Sequence, residues 1–167
     1  ISLATFSNFY KPIFTRKSIN EIDKIEIIPN GSTALIDSTC LMIQNVGKDL
    51  DSLPEEEKPE KVIFIIITDG EENSSKEYNN DQLKEMITHQ ESVYNWSFVF
   101  IGANQDSFSN ARSMGVSASS VINYHGNEKS INLMYNSISN ATLRYRSASS
   151  DKFSFTQEEQ DIVNESK

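Results

Sequence analysis

The sequence contains one cysteine, Cys40, among 167 residues. A single thiol excludes an internal disulfide and a cysteine-rich zinc site. Cys40 lies within an apolar pattern of helical spacing. We therefore interpret it as a small buried residue and not as a reactive thiol.

Long hydrophobic runs are also missing. The longest strongly apolar stretch, 62–67, is far shorter than the roughly 20 residues that a membrane-spanning helix needs. The first residues carry no basic segment of the kind that opens a signal peptide. We therefore expect a soluble protein without a membrane partner, either cytoplasmic or phage-associated.

Basic residues are scarce relative to acidic ones. Fifteen lysines and arginines face 24 aspartates and glutamates, which gives a net charge of -9. Such a surface repels nucleic acid over most of its area and attracts cations. Aromatic residues are well supplied, with nine Phe, six Tyr and one Trp, so the composition is that of a globular domain.

Hydrophobic periodicity predicts alternating strands and helices. The predicted strands are 1–6, 10–15 (antiparallel to the first), 61–68, 96–102 and 120–124. The predicted helices are 32–53, 81–94, 107–114 and 128–145, with Gly115 as the stop of the third. The sequence predicts one domain over residues 1–146 and a polar tail over 147–167 that contains a short helix at 157–163.

The segment 61–68 (KVIFIIIT) shows no alternation of apolar and polar residues. That pattern is typical of a central strand of a parallel sheet, buried on both faces. Together with the strand–helix alternation, it predicts an α/β fold with a Rossmann-like, doubly wound sheet. The sheet is expected to be mostly parallel with one antiparallel edge strand.

Two oxygen-bearing residues occupy positions where α/β proteins bind ligands. Asp69 directly follows the strand 61–68, and Gly70 allows a sharp turn there. Asp69 is either a metal or catalytic residue or an ordinary turn residue. Ser32 and Thr33 open the long helix, where a hydroxyl is either an N-cap or an oxygen ligand for a hard cation.

Further polar residues lie near the expected rim of the sheet. Glu71 and Glu72 follow Asp69, and Asn104 and Asp106 follow the strand 96–102. With Ser32, they are candidates for a second shell around a metal. The alternative is that they are solvated loop charges and helix caps.

Five segments in this order resemble the von Willebrand factor A family, in particular its bacterial and phage branch. They are 4–7 (ATFS), 29–37 (PNGSTALID), 65–73 (IIITDGEEN), 96–106 (WSFVFIGANQD) and 114–116 (MGV). The resemblance covers about residues 1–146. It implies a metal-ion-dependent adhesion site with Thr33 and Asp69 as ligands of Mg²⁺ or Mn²⁺, directly or through water.

The chain departs from this family at its start. Members carry an Asp-x-Ser-x-Ser loop after a first central strand, and no segment here matches that strand or loop. We therefore expect a domain that is incomplete at its N-terminus and a metal site that is weak or absent. A partner chain, a homo-oligomer or a swapped strand is expected to cover the exposed strand edges.

The resemblance implies a protein-binding module without catalytic residues, in which a carboxylate of the partner protein completes the metal coordination. The sequence shows no nucleophile–base pair and no phosphate-binding glycine loop, so no enzyme is expected. Two alternatives stay open. One is a metal-dependent hydrolase or phosphotransfer enzyme, which would turn over phosphate esters with Mn²⁺. The other is a metal-free structural or assembly protein of a phage or bacterium.

Overall fold

The computed structural model describes residues 1–28, 31–103, 107–147 and 149–166. Within them the chain is α/β, with five α-helices, a two-stranded antiparallel sheet and a three-stranded parallel sheet. They form two compact units. Unit 1 comprises Ile1–Lys58 and Glu71–Asn79, and unit 2 comprises Pro59–Gly70 and Asn80–Lys167.

The predicted elements are present with small shifts at their ends. The strands are β1 (Leu3–Phe6), β2 (Tyr10–Phe14), β3 (Val62–Thr68), β4 (Trp96–Gly102) and β5 (Val121–Asn123). The helices are α1 (Leu35–Asp51), α2 (Asn80–Tyr94), α3 (Ser107–Ser113), α4 (Glu128–Arg146) and α5 (Gln157–Asn164). No helix in the described ranges is both long and apolar enough to cross a membrane.

Unit 1 is a hairpin packed on a long helix. β1 and β2 pair antiparallel, as predicted, with an irregular register between Leu3 and Ala4. The Tyr10 hydroxyl donates to the sulfur of Met42 in α1 at 3.2 Å. Arg16, which follows β2, pairs with Asp49 of α1 at 2.7 Å. These contacts fix the hairpin against α1.

Unit 2 contains the parallel sheet, in the order β3-β4-β5. The predicted central position of the strand 61–68 is wrong, because within the described residues β3 pairs only with β4 and lies at the edge. Ile65 and Ile67 of β3 are 38% and 44% exposed. The fully covered strand is β4, whose side chains from Phe98 to Ile101 are at most 1% exposed on both faces.

The expected single sheet is also replaced by two. β1 and β2 pair with each other only, and no described residue forms a hydrogen-bond ladder between this hairpin and β3. Backbone hydrogen bonds join only strands that are direct neighbours, about 4.8 Å apart. The antiparallel strand therefore belongs to a sheet of its own and not to the edge of the parallel sheet.

The C-terminal segment belongs to the core of unit 2. Phe153, Phe155 and Val163 are buried in one cluster with residues of β4, β5 and α4. A capping box formed by Thr156 and Glu159 starts α5. The residues after α4 thus pack against the sheet, a role that the interpretation as a polar tail did not include.

Candidate functional site

The loop before α1 and the loop after β3 are joined within unit 1. The backbone N–H of Thr33 donates to the side-chain oxygen of Asn73 at 2.9 Å. In return, the N–H of Asn73 donates to the carbonyl of Thr33 at 3.1 Å. These two hydrogen bonds fix the half-buried Thr33 against Asn73, which lies four residues after Asp69.

Glu72 fastens the same two loops. Its carboxylate accepts hydrogen bonds from the N–H of Ile36 at 2.8 Å, from the N–H groups of Ser74 and Ser75 at 2.9 and 2.8 Å, and from the Ser75 hydroxyl at 2.7 Å. Partial burial raises the pKa of Glu72, but these donors outweigh it and hold the pKa below its usual value. Glu72 is therefore an ionised clamp on the first turn of α1.

Asp37 makes a second clamp on this helix. Its carboxylate accepts from the N–H groups of Lys76, Glu77 and Tyr78 at 2.7, 3.1 and 2.8 Å. Backbone donors of a turn 39 to 41 residues away thus converge on one side chain of α1. The carboxylates of Asp37 and Glu72 together shape the segment 71–79 around the N-terminus of α1.

Of the two alternatives for Ser32 and Thr33, the one that made either residue the N-cap of α1 is wrong. Ala34 occupies the cap position of α1 and no side chain there makes a capping hydrogen bond. The backbone N–H groups of the first turn donate instead to side chains of the segment 71–79. The N–H of Ile36 donates to the Glu72 carboxylate, and the N–H of Asp37 donates to the Ser75 hydroxyl at 3.0 Å. Sequence reasoning missed Ser75, because partners 36 and 38 residues apart leave no local spacing signal.

Asp69 lies in unit 2, directly after β3, and its side chain is exposed. The turn behind it is closed by Thr68, whose hydroxyl donates to the carbonyl of Gly70 and accepts from its N–H at 3.0 and 3.2 Å. Burial, followed by the negative charge of Asp69, raises the pKa of the Tyr124 hydroxyl. Tyr124 directly follows β5, so the carboxyl edge of the sheet carries both groups, and no motif in the sequence had singled out this tyrosine.

The remaining candidates from the sequence are Ser32, Glu71, Asn104 and Asp106. Ser32 is exposed, and its N–H donates to the side-chain oxygen of Asn8. Glu71 is exposed next to the clamped Glu72. Asn104 and Asp106 lie outside the described residues.

The donor chemistry of Thr33 and Asp69 suits a hard divalent cation, because a hydroxyl and a carboxylate are oxygen ligands. Glu72 does not suit a metal, since both of its carboxylate oxygens already accept hydrogen bonds. The described ranges hold no group of three or more His, Cys, Asp or Glu side chains placed to bind a metal ion.

Comparison with protein families, with curated proteins and with solved structures finds no match to this chain.

Proposed function

We propose that this chain is a von Willebrand factor A-type protein-binding module with a partial metal-ion-dependent adhesion site and no catalytic activity. The observation that carries the proposal is the reciprocal hydrogen bonding of Thr33 and Asn73. These residues belong to the two segments, 29–37 and 65–73, that resemble the threonine and aspartate loops of that family. Two loops that the resemblance pairs in function are thus bonded to each other.

The fold of unit 2 supports the same proposal. A parallel sheet with intervening helices is the core of a Rossmann-like, doubly wound architecture, which we propose for the parent fold. Such sheets bind ligands at the carboxyl ends of their strands, which is where Asp69 lies. The turn through Thr68 and Gly70 leaves the Asp69 side chain accessible to solvent.

In this proposal Thr33 and Asp69 contribute oxygen ligands to Mg²⁺ or Mn²⁺. A bound ion would supply a positive centre that attracts a carboxylate of the partner protein. With only two ligands from the chain, we expect a dissociation constant of roughly 1 mM or weaker. Glu72 serves the site indirectly, because it anchors the loop that contains Asn73 to α1.

The proposal is tested by titrating the chain with Mn²⁺ and following the ion by electron paramagnetic resonance. We expect weak binding that falls at least about tenfold in Asp69→Asn and in Thr33→Val, because each removes one oxygen ligand. Asp151→Asn is the matched control, since it removes one exposed carboxylate of unit 2 that belongs to the segment between α4 and α5.

Three results would contradict the proposal. Equal Mn²⁺ affinity in the wild type and in Asp69→Asn would show that the ion binds elsewhere. No binding by the wild type would favour the metal-free structural alternative. Turnover of phosphate esters in the presence of Mn²⁺ that disappears in Asp69→Asn would instead favour the enzyme alternative.

A further inference from the structure

Within unit 1, the loop before α1 also contacts the tip of the β1–β2 hairpin. The backbone N–H of Ser32 donates to the side-chain oxygen of Asn8. Two residues later, the N–H of Ala34 donates to the carbonyl of Ser7 at 2.8 Å. Because Ser7 and Asn8 lie between the two strands, the hairpin tip holds the loop at two points.

Thr33 lies between these two contacts and is bonded to a different segment. Its N–H donates to the side-chain oxygen of Asn73 at 2.9 Å, and its carbonyl accepts from the N–H of Asn73 at 3.1 Å. The N–H groups of residues 32, 33 and 34 therefore donate alternately to the hairpin tip and to the segment 71–79. The backbone of Thr33 cannot shift without breaking hydrogen bonds to one or both of these segments.

Gly31 allows the hairpin tip to approach the loop this closely. Its φ of 81° lies in the left-handed region, which favours glycine. A Cβ atom at this position would lie 2.7 Å from the side-chain oxygen of Asn8, which is much closer than van der Waals contact. A side chain in place of Gly31 would therefore displace Asn8 from its hydrogen bond with Ser32.

We infer that Asn8 is a positioning residue for Thr33. This inference rests on the proposed function, in which the Thr33 hydroxyl is an oxygen ligand of Mg²⁺ or Mn²⁺. Asn8 acts through the backbone of the loop and not as a ligand. Threonine is β-branched and has few χ1 rotamers, so fixing its backbone also restricts where its hydroxyl lies. A ligand that is fixed beforehand loses less entropy when the ion binds, so the hairpin tip contributes to the affinity of the site.

The first experiment measures amide hydrogen exchange by NMR in EDTA, so that no metal takes part. Asn8→Ala removes the acceptor of the Ser32 N–H. We expect the amides of Thr33 and Asn73 to exchange at least about threefold faster as well, although their own partners are unchanged. Asn8→Asp keeps an accepting oxygen and should restore slow exchange. The matched control, Asn20→Ala, removes an exposed asparagine of unit 1 outside these segments and should change none of these rates.

The amide of Ile43 in α1 serves as the reference for global unfolding, because this residue is 1% exposed. Its exchange rate should be the same in the wild type and in Asn8→Ala. An unchanged rate at Ile43 shows that the variant folds and that the faster exchange is confined to the loop.

The second experiment measures Mn²⁺ binding by electron paramagnetic resonance. Asn8→Ala should weaken binding at least about threefold, whereas Asn20→Ala should leave it unchanged. In the background of Thr33→Val, which has no hydroxyl to position, Asn8→Ala should cause no further loss. A structural role unrelated to Thr33 would instead weaken binding by the same factor in both backgrounds.

Unchanged exchange at Thr33 and Asn73 in Asn8→Ala would overturn the inference, and so would an equal acceleration at Ile43. An equal loss of Mn²⁺ affinity with and without the Thr33 hydroxyl would overturn it too. Failure of the proposed function has a different signature, namely a wild type that does not bind Mn²⁺. In that case the exchange rates alone, which are measured without metal, decide whether Asn8 fixes the loop.

Discussion

Glu72→Gln is the substitution with the most sharply defined expected effect. In the wild type the carboxylate accepts four hydrogen bonds, from Ile36, from Ser74 and twice from Ser75. A glutamine amide offers one accepting oxygen and one donating nitrogen. Its best orientation keeps the oxygen towards the N–H groups of Ser74 and Ser75 and turns the NH₂ group towards the N–H of Ile36.

The magnitude follows from these bonds. Losing the charged acceptor at Ile36 costs about 1.5–3 kcal/mol, and because Glu72 is partly exposed we take the lower half of that range. Removing the charge weakens the two remaining bonds and withdraws an anion from the N-terminus of α1, which adds about 0.5–1 kcal/mol. We expect a total loss of about 2–3 kcal/mol in the free energy of unfolding, or a fall in Tm of about 5–10 °C.

The assay is urea unfolding followed by circular dichroism, with Glu71→Gln as the control. Glu71 is the exposed neighbour of Glu72, so its substitution makes the same charge change and should alter stability by less than about 0.5 kcal/mol. Because the folded pKa of Glu72 lies below its unfolded value of 4.5, its contribution is complete above pH 4.5 and is lost as the pH falls through the folded pKa. Equal stability of the two variants at neutral pH, or a difference that persists unchanged in strong acid, would refute the reasoning.

Three further predictions concern packing, an ion pair and the thiol. Phe153→Ala should destabilise unit 2 by about 3–5 kcal/mol, because the Phe153 side chain is only 3% exposed. The control Phe9→Ala should cost less than about 0.5 kcal/mol, because Phe9 is 79% exposed. Equal urea midpoints of the two variants would contradict the packing of the C-terminal segment. Glu159→Gln should cost about 1–2 kcal/mol at neutral pH, because it breaks the bidentate ion pair with Arg144 at 2.6 and 2.8 Å. The loss should shrink below pH 4.5, since the folded pKa of Glu159 is lowered despite its burial. A loss of stability that does not change with pH in melting scans would contradict this prediction. Burial, with a smaller effect of a nearby carboxylate, raises the pKa of Cys40 to about 12. A maleimide should therefore label the thiol only in urea. Rapid labelling of the native protein would contradict the burial of this thiol.

The positions of the helices and strands were predictable because their signals are local. The helical spacing of apolar residues located α1, and the β-branched run located β3 to within one residue. The positive φ of Gly115, 92°, confirms its predicted role as the stop of α3. At the start of α1, the sequence offered Ser32 or Thr33 as an N-cap as one of two alternatives, whereas Glu72 and Ser75 perform the capping role.

What the sequence determined by itself is the α/β class and the order of its elements, because apolar periodicity and turn residues act within a few positions of each other. Tertiary structure alone decided which strand is central, since an apolar run has the same appearance whether one or both of its edges find partners. It also decided that the Glu72 carboxylate and the Ser75 hydroxyl of a distant loop cap α1 and that Phe153 and Phe155 join the core of unit 2. These contacts join residues that come together only when the chain folds. Because the residues are far apart in the sequence, no local repeating pattern predicts the contacts.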